Sequence, residues 1–297
     1  MKKNKILQGS AIAAGIFTAV TVWQNVSVKI TRYHIYSQNL PTNFNDFRIV
    51  LLSDIHSRNF GLGQKALVNR VRRMHPNLIL ISGDWVDSKH GKLSTCVEQA
   101  KLLKQIAPVW AIYGNHEIRK IRKTGVDTMH KALCDAGVHF LHTSGTHIQK
   151  ENSYINLIGI EDDVQLSERA RKKKQIESVK TMLSRVMHGI LPDEFTILMA
   201  HHPEFIDIYS NEPIDLVVSG HAHGGQVRIP FVGGVIAPNQ GLFPRYTSGK
   251  HCKNNTQMVI SRGIGGFKPV RIFNQPEIVV ISLHKGCAKQ RKKLVKN

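Results

Sequence analysis

The sequence predicts one α/β domain built around a stack of β-sheet, with a short hydrophobic segment ahead of it. Three observations carry this. Apolar, β-rich runs recur along the chain: "FRIVLLS", "LILISG", "VWAIYG", "INLIGI", "FTILMA", "DLVVSG", "QMVISRG" and "EIVVISL". Helix-like stretches separate the early runs and turns separate the later ones, as expected of a central sheet covered by helices. Several runs end directly in Asp, His, Asn or Gly, which would gather polar side chains along one edge, where ligands commonly bind in open α/β sheets.

Composition sets the bounds. The chain has 297 residues, 41% of them hydrophobic, which suits one large domain better than several small ones. Lys and Arg number 41 against 21 Asp and Glu, a net charge of +20, so the surface attracts polyanions: nucleic acid, anionic lipid headgroups or phosphorylated substrates. Cys96, Cys134, Cys252 and Cys287 stand far apart with no C-x-x-C pair. That excludes a zinc ribbon and a dithiol redox motif, and scattered free thiols favour a reducing compartment.

In chain order, residues 1–5 form a basic N-terminus. Ile6 to Trp23 is an uncharged apolar run at the short end of the roughly 17–25 residues that cross a bilayer. It is longer than the usual core of a secretory signal and lacks a small-x-small cleavage site, so it reads as a retained transmembrane anchor, with Trp23 at the interface. Residues 24–44 read as a strand-like linker, alternating through "VSVKITRYHIY" and broken at Pro41. The catalytic domain is expected to span 45–285, with Ser167 to Lys180 as a charged, solvated helix and 286–297 as a disordered basic tail.

Five clusters follow the strands. "SDIH" gives Asp54 and His56, "SGDWVD" gives Asp84, "GNHE" gives Asn115, His116 and Glu117, "MAHHPE" gives His201 and His202, and "SGHAHGGQ" gives His221 and His223. Any one alone is most often a turn or helix cap. Asp54 and His56 are two apart, as are His221 and His223, so on an extended backbone each pair projects to one side. Imidazole, carboxylate and amide donors without thiolate suit Mn, Fe or Zn, and seven such groups exceed one tetrahedral ion while sufficing for two.

In this order the blocks D-x-H, G-D, G-N-H-E, a later His and G-H-x-H resemble the signature of the calcineurin-like metallophosphoesterases. The "GHAHGGQ" extension and "SRGIGGFKPVRIFNQPEIVVISL" look more narrowly like the membrane-associated bacterial YaeI/YkuE-type branch, related to UDP-2,3-diacylglucosamine pyrophosphatases. The resemblance implies a four-layer α/β/β/α sandwich and two divalent ions, manganese first, with Fe or Zn as alternatives. It implies that Asp54, His56 and His223 hold one ion, that Asn115, His201 and His221 hold the other, and that Asp84 bridges them. His116 would be the catalytic histidine, donating a proton to the leaving oxygen after metal-hydroxide attack on phosphorus. His202 would face solvent or substrate.

Asp87, Glu117, Glu161, Asp162 and Asp163 are candidates to orient the histidines, and each is also an ordinary turn carboxylate. Arg228, Arg245, Arg262 and Lys268 could hold a second phosphate at the mouth. The expected activity is hydrolysis of a phosphodiester or pyrophosphate in a membrane lipid or nucleotide-linked glycolipid, at the cell membrane. A nuclease or cyclic-nucleotide phosphodiesterase is the alternative that the +20 charge allows, and the anchor argues against a nucleic-acid partner. A basic membrane-binding protein with a vestigial metal site is a third reading, opposed by the complete ligand set. The membrane face stays open: the N-terminal lysines place the domain outside, whereas free thiols and a basic surface suit the cytoplasmic leaflet.

Overall fold

The protein is described from a computed structural model covering residues 2–125, 127–162, 172–265 and 271–287, with the side chains of 2–9, 11 and 13 outside the description. Helix α1 (Lys2–Val26) leads into strand β1 (Lys29–Ser37), then β2 (Arg48–Leu52), α2 (Lys65–Arg72), β3 (Leu78–Ser82), α3 (Leu93–Leu103), β4 (Val109–Ile112), α4 (Asn115–Thr124), α5 (Thr128–Asp135) and β5 (Val138–Phe140). The second half runs β6 (Ser144–Lys150), β7 (Ser153–Ile160), α6 (Lys172–Val186), β8 (Thr196–Ala200), α7 (Ile206–Tyr209) and β9 (Leu216–Ser219). Two small hairpins follow, β10 (Arg228–Ile229) with β11 (Gly233–Gly234) and β12 (Ile236–Ala237) with β13 (Gly241–Leu242), before β14 (Gly249–Lys253), β15 (Thr256–Ile260) and β16 (Glu277–Lys285).

The long strands form two six-stranded sheets, ordered β1-β16-β2-β3-β4-β5 and β14-β15-β9-β8-β7-β6. Alternation decides how they stack. In β2, Ile49 and Leu51 face a core shared with Leu157, Ile197, Met199 and Val218 of the second sheet. Val50 and Leu52 face the other way, onto Leu67 and Val71 of α2 and Cys96 and Ala100 of α3. In β8, Ile197 and Met199 join the shared core, while Leu198 and Ala200 pack under Val179 and Leu183 of α6. Both faces of each sheet are thus buried, so the inner strands read as continuous apolar runs and the layers are α/β/β/α.

The segment expected as a linker belongs to the first sheet. Lys29–Ser37 pairs in parallel with Glu277–Lys285 from the far end of the chain, and Ile35, Leu40 and Phe44 are fully buried. Sequence periodicity found the strand but not its partner, because pairing across the whole chain leaves no local signal. The anchor stands differently. Residues 2–26 are helical, and among the described residues no helix is long and apolar enough to cross a membrane; six of the eighteen side chains of Ile6–Trp23 lie outside that description. The helix expected at Ser167–Lys180 is described from Lys172 and buries Gln175, Val179, Leu183 and Val186 on one face. The basic tail beyond residue 287 and Asp163 lie outside the described residues.

Candidate metal centre

The polar clusters converge where the two sheets meet. Asp54 and His56 follow β2, Asp84 follows β3, Asn115 and His116 open α4 after β4, His201 follows β8, and His221 and His223 follow β9. Each of these residues except His56 is at most 8% exposed, and the His56 side chain is 4% exposed. His56 Nε2 lies 3.8 Å and His201 Nε2 lies 3.4 Å from the same oxygen, Asp84 Oδ2. His223 Nε2 stands 3.6 Å from Asp54 Oδ1. Ligand atoms of Asp54, His56, Asp84 and His223 lie within 4.8 Å of one another.

The backbone reaches this arrangement by an unexpected route. Asp54, His56, Asp84, His221 and His223 have φ of 49°, 50°, 53°, 66° and 47°. They sit in left-handed turns and not on the extended backbone that the two-residue spacing implies. Non-glycine residues rarely take this region, and such outliers collect at functional sites. Gly83, at φ +94°, brings the turns together: a Cβ there would lie 2.6 Å from His201 Nδ1 and 2.9 Å from the Gly114 backbone.

The donor set fits divalent cations. Neither ring nitrogen of buried His56 has a hydrogen-bond partner among the described residues, although imidazole nitrogens in an interior ordinarily find one. His201 donates through Nδ1 to the Ser82 carbonyl at 2.7 Å, which leaves Nε2 aimed at Asp84, the orientation that supporting hydrogen bonds give metal-binding histidines. Asn115 can donate to His221 Nδ1 at 3.2 Å and accept from Arg119 at 2.8 and 3.0 Å; the opposite amide orientation would present its oxygen and the His221 nitrogen to one ion.

Protonation supports this. Burial lowers His56 to about 4 and holds His221 and His223 well below 6.5, so these rings stay neutral with a lone pair at pH 7. Burial also opposes charge on His201, but adjacent Asp84 prevails and raises it to about 10. A proton on His201 then neutralises the carboxylate that a cation would otherwise neutralise.

Two carboxylates hold the frame. Glu117 accepts from the backbone N–H of Gly114 at 2.9 Å, Asp84 at 3.1 Å and Val86 at 2.7 Å. It secures two ligand-bearing turns through their backbone N–H groups. Asp87 Oδ2 lies 3.2 Å from His116 Nδ1 and 3.7 Å from His56 Nδ1. Its only signal in the sequence is its place in "SGDWVD".

Other expectations change. His202 does not face solvent: it is buried, with Nε2 2.7 Å from Asp162 and Nδ1 2.9 Å from Glu204. These carboxylates overcome burial and raise its pKa well above 6.5. Glu161 pairs instead with His142 at 2.8 Å. Arg228 is tied to Gly224 O, Thr247 and Ser248, and Arg262 faces Glu277 at 3.9 Å. Arg245 does line a cavity of about 500 Å3, with Lys172, Glu204, Asn239, Phe243 and Tyr246. Lys268 lies outside the described residues.

Residues 47–225 match the family described as calcineurin-like phosphoesterase. The chain is 30% identical to the uncharacterised metallophosphoesterase YkuE of Bacillus subtilis, over 95% of this chain and 98% of that one. It is 28% identical to phosphodiesterase YaeI of Escherichia coli, over 80% and 82%. With a transmembrane protein with metallophosphoesterase domain from Danio rerio it shares 26% identity, over 86% of this chain and 57% of that protein. The converging carboxylates and histidines and these relationships lead to one statement: the chain belongs to the calcineurin-like phosphoesterase family and is a metal-dependent phosphoesterase.

Proposed function

We propose that the protein hydrolyses a phosphodiester or pyrophosphate carried by a membrane lipid or a nucleotide-linked glycolipid. The observation that carries the chemistry is the convergence of His56 and His201 on Asp84 Oδ2. Asp54, His56 and His223 would hold one ion, Asn115, His201 and His221 a second, and Asp84 would bridge them. Two manganese ions, which nitrogen and oxygen donors without thiolate accept, would polarise the phosphoryl oxygens and activate a water for in-line attack.

The rest falls to this chain's own side chains. His116 opens α4 beside Asn115, and its Nδ1 is near Asp87 Oδ2 at 3.2 Å and the Ser88 N–H at 3.2 Å. With Nδ1 held, Nε2 is the atom that meets the leaving oxygen, and a proton passes from it to the departing alkoxide. Glu117 keeps the turns of Asp84 and Asn115 in register through their backbone.

The membrane part rests on the apolar run Ile6–Trp23, the net charge of +20 and the transmembrane relative. Together they support a reading in which the protein works at the cell membrane. The decisive experiment is a metal-dependent assay on bis-p-nitrophenyl phosphate, run beside UDP-diacylglucosamine, nucleic acid and cyclic nucleotides. Turnover of the chromogenic diester and the glycolipid is expected; preference for nucleic acid or cyclic nucleotides would replace the lipid reading.

A further inference from the structure

We propose that the two small hairpins and the loop at residues 272–273 form a docking rim that seats the metal centre against the headgroup layer of an anionic bilayer. Phe231 is fully exposed at the first hairpin tip, beside Val232 at 63%, and Leu242 and Phe243 are 69% and 61% exposed on the second. Phe273 is also exposed. Single exposed apolar residues need no explanation, but a contiguous set does.

These residues are contiguous through the backbone. Arg228 N donates to Ile272 O at 2.9 Å, Val235 N to Val227 O at 2.8 Å, and Phe243 N to Val235 O at 2.8 Å. Segments bonded in this way lie side by side at roughly the 4.8 Å spacing of a sheet, which sets Leu242 and Phe243, at the base of the second hairpin, beside the first hairpin, whose turn carries Phe231 and Val232. The rim grows out of the metal turns: Val235 N also donates to Gly225 O at 3.1 Å, two residues beyond His223, and the Asn239 amide reaches to 3.5 Å from His221 Nε2.

Two further features fit a lipid surface. The exposed apolar side chains of α1, among them Ile12, Ile16 and Trp23, join the rim at Phe273, whose ring centroid is 6.5 Å from that of Phe17. The Asn25 amide clasps the Arg271 backbone on both sides at 2.8 Å, fixing the end of α1 beside that loop. Behind the rim, the cavity of about 500 Å3 sets Lys172 and Arg245 next to Phe243 and Tyr246; with its one carboxylate, Glu204, paired to His202, the lining suits an anionic headgroup below an apolar edge. Exposed apolar residues on a hairpin turn and along the neighbouring hairpin's base suit a fluid interface, and the +20 charge complements anionic lipid. The inference rests on the membrane reading above and not on which lipid is cleaved.

The test uses the full chain. Phe231→Trp adds an emitter at the rim to the three native tryptophans. On vesicles of equal parts phosphatidylglycerol and phosphatidylcholine brominated near the headgroup, the added emission should be quenched beyond that of the unaltered protein. Lack of extra quenching while the protein stays vesicle-bound through α1 would overturn the rim. The combined variant Phe231→Ser, Val232→Ser, Leu242→Ser should lose about tenfold or more on vesicle-borne substrate, with bis-p-nitrophenyl phosphate turnover unchanged. Self-association abolished by that variant, without quenching, would assign the rim to a second copy of the chain instead. If the unaltered protein fails on both substrates while quenching persists, the hydrolase reading falls and the rim stands.

Discussion

Asp87 Oδ2 sits 3.2 Å from Nδ1 of His116 and 3.7 Å from Nδ1 of His56. One carboxylate thus holds the proposed proton donor and adjoins a proposed ligand, and the two rings meet edge to face at 4.5 Å.

For His116→Ala, bound metal should be retained and turnover should fall by roughly 10²–10⁴ on diesters with poor leaving groups, with a smaller loss on nitrophenyl esters. Asp87→Asn should show the same leaving-group trend at roughly 10–100-fold. A Brønsted plot over substituted phenyl esters reads both, and parallel slopes for variant and parent would remove the proton-donor role.

Asp84→Ala deletes the carboxylate that His56 and His201 both approach. Elemental analysis should show fewer than two ions per chain, and activity should fall by roughly a thousandfold or more. Two retained ions with activity intact would refute the bridge.

Truncation separates the helix from the sheet. A chain starting at Ser27 keeps β1 and should retain the soluble-diester activity. One starting at Asn45 loses the pairing of β1 with β16 and the buried Ile35, Leu40 and Phe44. At roughly 1.5–3 kcal/mol for each buried side chain, that is comparable to a typical total stability of about 5–15 kcal/mol, so this chain should not fold cooperatively by circular dichroism.

His142 yields a pH test away from the metal turns. Its hydrogen bond to Glu161 raises its pKa from 6.5, so the folded state holds the proton more tightly. The stabilisation is fully present below pH 6.5 and is lost as pH rises through the raised value. The melting temperature of Glu161→Gln should lie below that of the parent at pH 5.5 and converge on it by pH 9. A gap that widens with pH would reverse the assignment.

The metal turns were legible because each ligand block follows its strand directly, so "SDIH", "GNHE" and "GHAH" announce both a strand end and its chemistry. Left-handed conformations at Asp54 and His221 were not, since nothing local distinguishes them from extended residues at the same spacing. The setting of His202 depends on Asp162, brought in from the end of β7. The place of β1 depends on β16, and short hairpins such as Arg228–Gly234 carry too few residues for a periodic signal.

The metal turns divide between the two sheets: Asp54, His56, Asp84 and Asn115 follow strands of one, and His201, His221 and His223 follow strands of the other. A cation bound across that seam would act as a rivet between two halves otherwise joined by apolar contact and by hydrogen bonds such as that of His201 Nδ1 to the Ser82 carbonyl. Its grip exists only after the halves have docked, so tight binding selects the fully assembled chain over any partly folded one. Chelation should therefore register first as loosened coupling between the sheets, read as faster amide exchange in β2 and β8, before any secondary structure melts.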